Sequence, residues 1–217
     1  MTDFVEARKA MVDCQVRPSD VTSYAIIEAM LNVPRESFVP GPRQAVAYAE
    51  ADIPLGDGRM LLAARTFAKM LEAATIRPDD LVLDVNPATG YSTAVLAHLA
   101  GAVVAAEPNG TMAARLQSNM SALELDNVLV AEPDTCPGDA ANGPYDVIFV
   151  NSGVEEVPAA LFDQLKDGGR LVAIFMNGPA GQCRLQIRTG DRISERYMFD
   201  ATANVLDGYR KEVEFAL

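Results

Sequence analysis

Three acidic residues stand where apolar, β-branched runs of the sequence end. Asp84 and Glu107 each close such a run and lie 23 residues apart, and Asp134 follows the next run. If the runs are parallel strands, their carboxyl ends meet at one edge of a sheet, where open α/β folds bind ligands. A carboxylate after the second strand can accept hydrogen bonds from ribose hydroxyls, and one after the third could reach an adenine edge. These acids therefore predict a nucleoside-binding site.

The loop after the first run has the sequence DVNPATG, residues 84–90, and Gly90 leads from it into a helical pattern. Glycine suits such a loop because it adopts positive φ and lets the backbone approach a ligand. Asn86 tolerates a left-handed conformation, but Pro87 favours extended backbone before it and lacks an N–H donor. A left-handed Ala88 would cost about 1–2 kcal/mol. The loop is therefore expected to bind a ligand weakly or to be rebuilt.

The spacing of the apolar runs predicts the fold that would position these residues. Runs begin at residues 81, 102, 128, 146 and 170, and helical patterns separate most of them, at 92–99, 111–123 and 158–165. This alternation of strand and helix indicates right-handed βαβ units and a parallel sheet. The predicted fold class is α/β: an open, mostly parallel, Rossmann-like sheet with helices on both faces.

The segments on either side of the runs predict additions to this sheet. The first 45 residues have helical spacing and form an N-terminal cap, and a helix follows over residues 63–74. Between them, residues 53–62 are predicted to form a loop, because a proline and two glycines interrupt them. C-terminal antiparallel strands are predicted at 184–189, 193–199 and 213–215, the first two joined over residues 190 and 191.

Composition excludes several classes of protein. The 18 basic and 30 acidic residues give a net charge of −12, and no stretch is rich in lysine or arginine, which argues against nucleic acid and anionic membrane surfaces as partners. No apolar run approaches the roughly 18 residues of a membrane span. Cys14, Cys136 and Cys183 lie too far apart for a zinc motif, and the chain has one histidine, so no metal site is predicted. The chain is expected to be cytoplasmic.

The motifs together resemble the protein-L-isoaspartate O-methyltransferases, a family of class I S-adenosylmethionine-dependent methyltransferases. The N-terminal cap carries MVDCQVRP at 11–18 and EAMLNVPRESFVP at 28–40, followed by IPLGDG at 53–58 and FAKML at 67–71. The fourth and fifth strands carry YDVIFV at 145–150 and LKDGGRLV at 165–172. The resemblance extends from Met11 to Phe175 and is weakest in the tail. It implies one methyltransferase domain, with a cap and substrate segment at 1–62, a cofactor-binding core at 63–176 and C-terminal strands at 177–217.

The resemblance implies S-adenosylmethionine as cofactor and isoaspartyl residues of damaged proteins as substrate. The residues it assigns to the cofactor are Asp84, Asn86, Ala88, Gly90, Tyr91, Glu107, Asp134 and Asn151. Several of them depart from the family pattern, which has glycines at 86 and 88 and usually an aspartate at 151.

The reaction centre also departs from the family pattern. Where the family has Thr and Ser hydroxyls that hold the substrate carboxylate, this chain has Met60 and Leu62. The nucleophilic carboxylate is ionised at neutral pH, so it needs positioning rather than a general base. Arg59 precedes these residues and is expected to clamp the substrate carboxylate in place of the missing hydroxyls.

Three functions stay open at this point. The first is methylation of isoaspartyl carboxylates, which the retained Asp84, Gly90 and Glu107 favour. The second is methylation of another substrate, consistent with the altered Met60 and Leu62. The third is a non-enzymatic binding module that keeps the scaffold, which the loss of loop glycines favours. A loop 86–90 that fills the cofactor pocket would support the third.

Overall fold

The computed structural model describes residues 3–131 and 137–211 of the 217-residue chain. The helices are α1 (Phe4–Met11), α2 (Tyr24–Asn32), α3 (Ala64–Ala74), α4 (Tyr91–Ala97), α5 (Gly110–Ala122) and α6 (Ala159–Asp163). The strands are β1 (Ile53–Gly56), β2 (Arg59–Leu61), β3 (Leu81–Val85), β4 (Ala102–Ala106), β5 (Val128–Val130), β6 (Tyr145–Val154), β7 (Leu165–Asn177), β8 (Ala180–Thr189) and β9 (Arg192–Asp200). A π-helical turn at Val12–Val16 and a 3₁₀ turn at Arg17–Ser19 connect α1 to α2, and 3₁₀ turns at Arg35–Phe38 and Gly41–Val46 lie between α2 and β1.

Seven strands form one sheet in the order β5-β4-β3-β6-β7-β8-β9. β3 pairs in parallel with both β4 and β6, and β8 and β9 add antiparallel strands beside β7. The chain runs from β3 towards β5 and then returns to the other side of β3 at β6, so the strand order reverses beside β3. Ligands bind at the carboxyl ends of strands at such a reversal.

Both faces of the sheet are covered because its central strands are apolar on both sides. Val82, Val147 and Phe149 belong to a cluster that includes the N-terminal segment and helices α3, α4 and α5. The intervening residues Leu83 and Ile148 belong to a second cluster, which includes α6 and the segment after β9. Helices therefore flank the sheet on both sides, and the predicted fold class, including the helical cap and the antiparallel strands, is confirmed.

Two predicted elements differ from the structure. Residues 53–62 are not a loop, because β1 and β2 pair as an antiparallel hairpin. Its turn uses positive φ at Gly56, Asp57 and Gly58, so the glycines that suggested a loop instead form a tight reversal. The helix predicted over 158–165 is the short α6, since Leu165 already begins β7 and pairs with Tyr145.

The C-terminal hairpin is confirmed: β8 and β9 pair from Thr189 and Arg192 outwards across residues 190 and 191. The run predicted at 213–215 lies outside the described residues. None of the described helices is long and apolar enough to cross a membrane. The described residues contain no cluster of His, Cys, Asp and Glu that could hold a metal ion.

Candidate functional site

The carboxyl edge of β3, β4 and β6 brings the predicted site residues together. The parallel register aligns Asp84 with Ala105 of β4 and Phe149 of β6, so Glu107 and Asn151 follow at the same edge. The β1–β2 hairpin lies over this edge. These residues are distant in sequence, and the edge is the one that topology designates for a ligand.

Side chains from the body of the protein hold the hairpin in place. The amide of Asn109 donates to the Asp57 carboxylate at 3.0 Å, and the amide of Asn204 donates to the Gly58 carbonyl at 2.7 Å. Arg43 also donates to the carbonyl of Pro54. The hairpin is therefore fixed as a cover over the carboxyl edge.

The loop between β3 and α4 keeps glycine-like geometry without the glycines. Asn86 has φ +57°, Ala88 has φ +54° and Gly90 has φ +92°. The expectation that Pro87 would extend Asn86 is wrong. The Asn86 N–H donates to the carbonyl of Ala106 at 3.0 Å, which holds the residue in a left-handed conformation that asparagine tolerates.

Gly90 faces a helix rather than the space above the sheet. A Cβ at this position would lie 2.7 Å from Leu116 Cγ and 3.1 Å from Met120 Cε, both on α5. Tyr91 is likewise buried in the core, where its ring packs against Phe38 and Phe67. Packing therefore accounts for both residues, while their predicted contact with a cofactor stays a prediction.

Glu107 is fully buried and accepts four hydrogen bonds within the described chain. Arg59 donates to Oε1 from Nε at 3.2 Å and from Nη2 at 2.7 Å, and the backbone N–H of Asn109 donates to the same oxygen at 3.0 Å. The N–H of Ala88 donates to Oε2 at 2.8 Å. This last bond orients Ala88 and helps to hold its left-handed backbone, which costs about 1–2 kcal/mol in an alanine.

Arg59 thus lies on a carboxylate of its own chain. The predicted role as a substrate clamp stays a prediction, because the guanidinium points to Glu107 with the side chain 11% exposed. Pattern reasoning missed this pair, since 48 residues separate its members. The sequence did contain a signal for this pair. A buried acid requires a partner, and Arg59 is the cation next to the altered residues Met60 and Leu62.

Asp84 is fully buried in a network of neutral donors. Its Oδ2 accepts from the hydroxyls of Ser92 at 2.8 Å and Thr93 at 2.7 Å, and its Oδ1 accepts from the amide of Asn151. Burial raises the pKa of Asp84 to about 7, although these donors favour the ionised form, and the nearby Glu107 charge raises it further. Asparagine at 151 suits this site, because an aspartate would place a second negative charge against Asp84.

The raised pKa predicts a specific pH dependence of stability. Because the pKa in the folded state lies above the value of about 3.9 in unfolded chains, the native state binds the proton more tightly. The free energy of unfolding should then fall as pH rises from about 4 to about 7, by up to about 4 kcal/mol for this group. Asp84→Asn removes the titration, so urea unfolding of both proteins at pH 5 and pH 8 should show the wild type losing more stability. Parallel losses would contradict the raised pKa.

Space at the carboxyl edge is small where the described residues enclose it. One cavity of about 10 Å³ is lined by Leu55, Met60, Leu61, Leu62, Phe67, Pro87, Tyr91, Ser92 and Asn151. A second of about 10 Å³ is lined by Gly58, Arg59, Met60, Leu62, Asn151, Ser152, Ala203, Asn204 and Leu206. Each has room for about one water molecule. Met60, Leu62 and Asn151 border both cavities, so β2 and the residue that follows it pack directly against the sheet edge.

The structure places the predicted residues as follows. Asp84, Asn86, Ala88, Glu107, Asn151, Arg59, Met60 and Leu62 gather at the carboxyl edge, whereas Gly90 and Tyr91 pack into the core beside it. Asp134 lies outside the described residues. Sequence reasoning did not single out Ser92, Thr93 or Asn109. A buried acid at position 84 requires donors, so Ser92 and Thr93 in the first turn of α4 could have been found.

Comparison with known proteins gives a consistent result. Residues 6–203 match the family model for protein-L-isoaspartate(D-aspartate) O-methyltransferase. A protein-L-isoaspartate O-methyltransferase of Koribacter versatilis is 37% identical over 186 residues, covering 86% of this chain and 82% of the relative. One of Methanoregula boonei is 36% identical over 167 residues, covering 77% of each chain.

Solved structures share the fold at lower identity. A protein-L-isoaspartate O-methyltransferase superposes with a TM-score of 0.82 at 24% identity, covering 93% of this chain and 66% of that longer chain. A Plasmodium falciparum protein assigned to the same family, solved in complex with S-adenosyl-L-homocysteine, has a TM-score of 0.77 at 16% identity, covering 95% of this chain and 99% of that one. These two likenesses concern the fold.

Proposed function

Because this chain belongs to the protein-L-isoaspartate O-methyltransferase family, we propose that it transfers a methyl group from S-adenosylmethionine to isoaspartyl carboxylates in damaged proteins. The observation that carries this proposal is the Glu107 carboxylate, which lies at the carboxyl end of β4 and is bonded to Ala88 of a loop with three left-handed residues. This arrangement falls within the matched residues and at the strand-order reversal where nucleosides bind.

The chemical groups at the carboxyl edge, a carboxylate and a left-handed loop, are of the types that bind an adenosyl cofactor. Glu107 would accept the ribose hydroxyls, and the left-handed loop around Asn86 and Ala88 would approach the ligand with its backbone. Asp84 positions the start of α4 through the hydroxyls of Ser92 and Thr93. Asp134 keeps its proposed role towards the adenine.

The chemistry requires alignment above all. When bound, S-adenosylmethionine supplies a methyl group on a sulfonium, and an isoaspartyl carboxylate is ionised at neutral pH and so needs no base. The chain's task is to hold that carboxylate and to exclude water. Met60 and Leu62 supply the apolar wall, and Arg59 is the cation that lies beside them in the same cavity lining.

The setting proposed for this activity is the cytoplasm, with proteins carrying isoaspartyl residues as partners. In the described chain, Cys14 and Cys183 are free thiols, as is usual in a reducing compartment. The net charge of −12 disfavours nucleic acid as a substrate. We keep the division into cap and substrate segment, cofactor-binding core and C-terminal strands as part of the proposal.

The test is transfer of a labelled methyl group to two synthetic peptides that differ only in having isoaspartate or aspartate at one position. Labelling of the isoaspartyl peptide alone is expected. Glu107→Gln should raise the KM for the cofactor by about 100-fold, because a hydrogen bond to a charged acceptor contributes roughly 1.5–3 kcal/mol. The matched control Glu195→Gln changes an exposed glutamate paired with Arg184 and should leave the KM unchanged.

A second candidate, a non-enzymatic binding module, is favoured by the Arg59–Glu107 ion pair, which occupies the carboxylate that would otherwise bind the ribose. It would be supported if neither peptide is labelled and no cofactor binds at millimolar concentration. Labelling of both peptides equally would instead indicate a methyltransferase with another substrate.

A further inference from the structure

In the structure, Arg59 is bound to the Glu107 carboxylate, which is the group proposed to bind the ribose of the cofactor. Both donors of Arg59 lie on Oε1 of Glu107, while the N–H groups of Asn109 and Ala88 take further acceptor positions on the same carboxylate. The Glu107 side chain has no exposed surface. A ribose diol can therefore bond to Glu107 only after Arg59 has withdrawn.

We propose that Arg59 exchanges carboxylate partners: Glu107 holds it in the free protein, and the isoaspartyl carboxylate of the substrate holds it once the cofactor has taken Glu107. The inference rests on the proposed function. It assigns Arg59 as a positioning residue for the substrate and as the residue that couples the binding of the two ligands.

The environment of Arg59 makes the exchange necessary. Its side chain is 11% exposed and shares a cavity lining with the apolar Met60 and Leu62. A guanidinium that loses its carboxylate in such surroundings is destabilised unless another anion replaces it. The substrate brings a carboxylate with the planar geometry that binds the two N–H donors of an arginine.

Among the residues that the structure describes, the other acids near the site are less suited to receive Arg59. Asp84 is fully buried and already accepts hydrogen bonds from Ser92, Thr93 and Asn151. Asp57 is exposed and already accepts from Asn109, so water would screen its attraction. The incoming substrate is therefore the favoured second partner.

The position of Arg59 on the β1–β2 hairpin allows this movement. It directly follows the turn formed by Gly56, Asp57 and Gly58, and the turn is held to the body by the side chains of Asn109 and Asn204. Breaking these side-chain bonds leaves the seven-stranded sheet intact, because β1 and β2 pair only with each other in the described chain. The turn that carries Arg59 can therefore shift without disturbing the seven-stranded sheet, while the buried Ile53 and Leu55 keep β1 anchored to the core.

The exchange predicts a measurable coupling between ligands. Isothermal titration of S-adenosylhomocysteine into the wild type should show about tenfold tighter binding when an isoaspartyl peptide is saturating. Arg59→Met should bind S-adenosylhomocysteine alone about tenfold tighter than the wild type does, because no Arg59–Glu107 ion pair must be broken before the ligand binds. In this variant the peptide should no longer change that affinity. Arg184→Met, which breaks the Arg184–Glu195 pair on the β8–β9 hairpin, is the matched control and should behave as the wild type.

The outcomes separate this inference from the proposed function. If the wild type and Arg59→Met bind S-adenosylhomocysteine with equal affinity, and the peptide changes that affinity equally in both, the exchange is overturned. The proposed methyltransferase activity is not affected by this outcome. Binding by neither protein at millimolar ligand, with no methyl transfer, overturns both. Should Arg59→Met fail to fold, Arg59→Lys decides: its single ammonium cannot form the forked contact, so reduced coupling supports the exchange and unchanged coupling overturns it.

Discussion

Replacing Glu107 by alanine is expected to lower the free energy of unfolding by about 3 kcal/mol, because it breaks a buried ion pair and leaves an uncompensated charge. The side chain of Glu107 is fully buried and that of Arg59 is 11% exposed, at 2.7 Å from each other. The substitution also removes the acceptor for the N–H groups of Ala88 and Asn109. Urea unfolding at neutral pH measures the loss.

The control for this prediction is Glu195→Ala. Glu195 pairs with Arg184 at 2.8 Å, but both side chains are about one-third exposed, at 39% and 34%. Ion pairs of this kind contribute about 0–1 kcal/mol, so the control should lose little stability. Similar losses in the two variants would show that the Glu107 pair has no special structural role.

Gly90→Ala is expected to destabilise the protein by about 3 kcal/mol, from left-handed strain and overpacking together. The residue has φ +92°, and its new Cβ would lie 2.7 Å from Leu116 Cγ. Leu116 is fully buried, so its Cγ can move aside only if the side chain changes its χ1 rotamer within a packed core. We expect α4 and α5 to separate slightly, which thermal or urea unfolding would detect as a loss of stability.

Gly168→Ala separates the two causes. Gly168 also has positive φ, at +76°, but an added Cβ would meet no atom within 4 Å. It should cost only about 1 kcal/mol, the strain of a left-handed alanine. A loss at Gly90 no greater than at Gly168 would mean that α5 accommodates the methyl group and that packing does not require glycine there.

The loop around Ala88 shows how far local rules reach. The loss of two glycines predicts a loop that binds a ligand weakly or is rebuilt, and Pro87 predicts an extended Asn86, but Asn86 and Ala88 both have positive φ. A left-handed backbone at Ala88 costs about 1–2 kcal/mol. Hydrogen bonds from Asn86 to Ala106 and from Ala88 to Glu107 oppose that cost, and both join the loop to β4 or the residue that follows it. Neither bond can be inferred from residues 84–90 alone.

The β1–β2 hairpin is a second element that the local sequence pattern does not predict. Its proline and glycines interrupt any local periodicity, so the sequence pattern predicts a loop over residues 53–62. Ile53 and Leu55 are nevertheless buried, which anchors β1 to the core and lets Arg59 reach the carboxyl edge of the sheet. Tertiary burial, rather than strand propensity, determines this element.

The sequence alone determined the α/β fold, the helical cap and the placement of Asp84 and Glu107 at one edge, because strand and helix periods are local and parallel strands share their carboxyl ends. Only the tertiary structure decided which groups these acids contact. Arg59 bonds to Glu107 across 48 residues, and Asn151 bonds to Asp84 across 67. Such pairings depend on which side chains the fold brings within hydrogen-bonding distance. A buried acid without a hydrogen-bond donor would be destabilising, so each acid is bonded to donors that the fold places beside it.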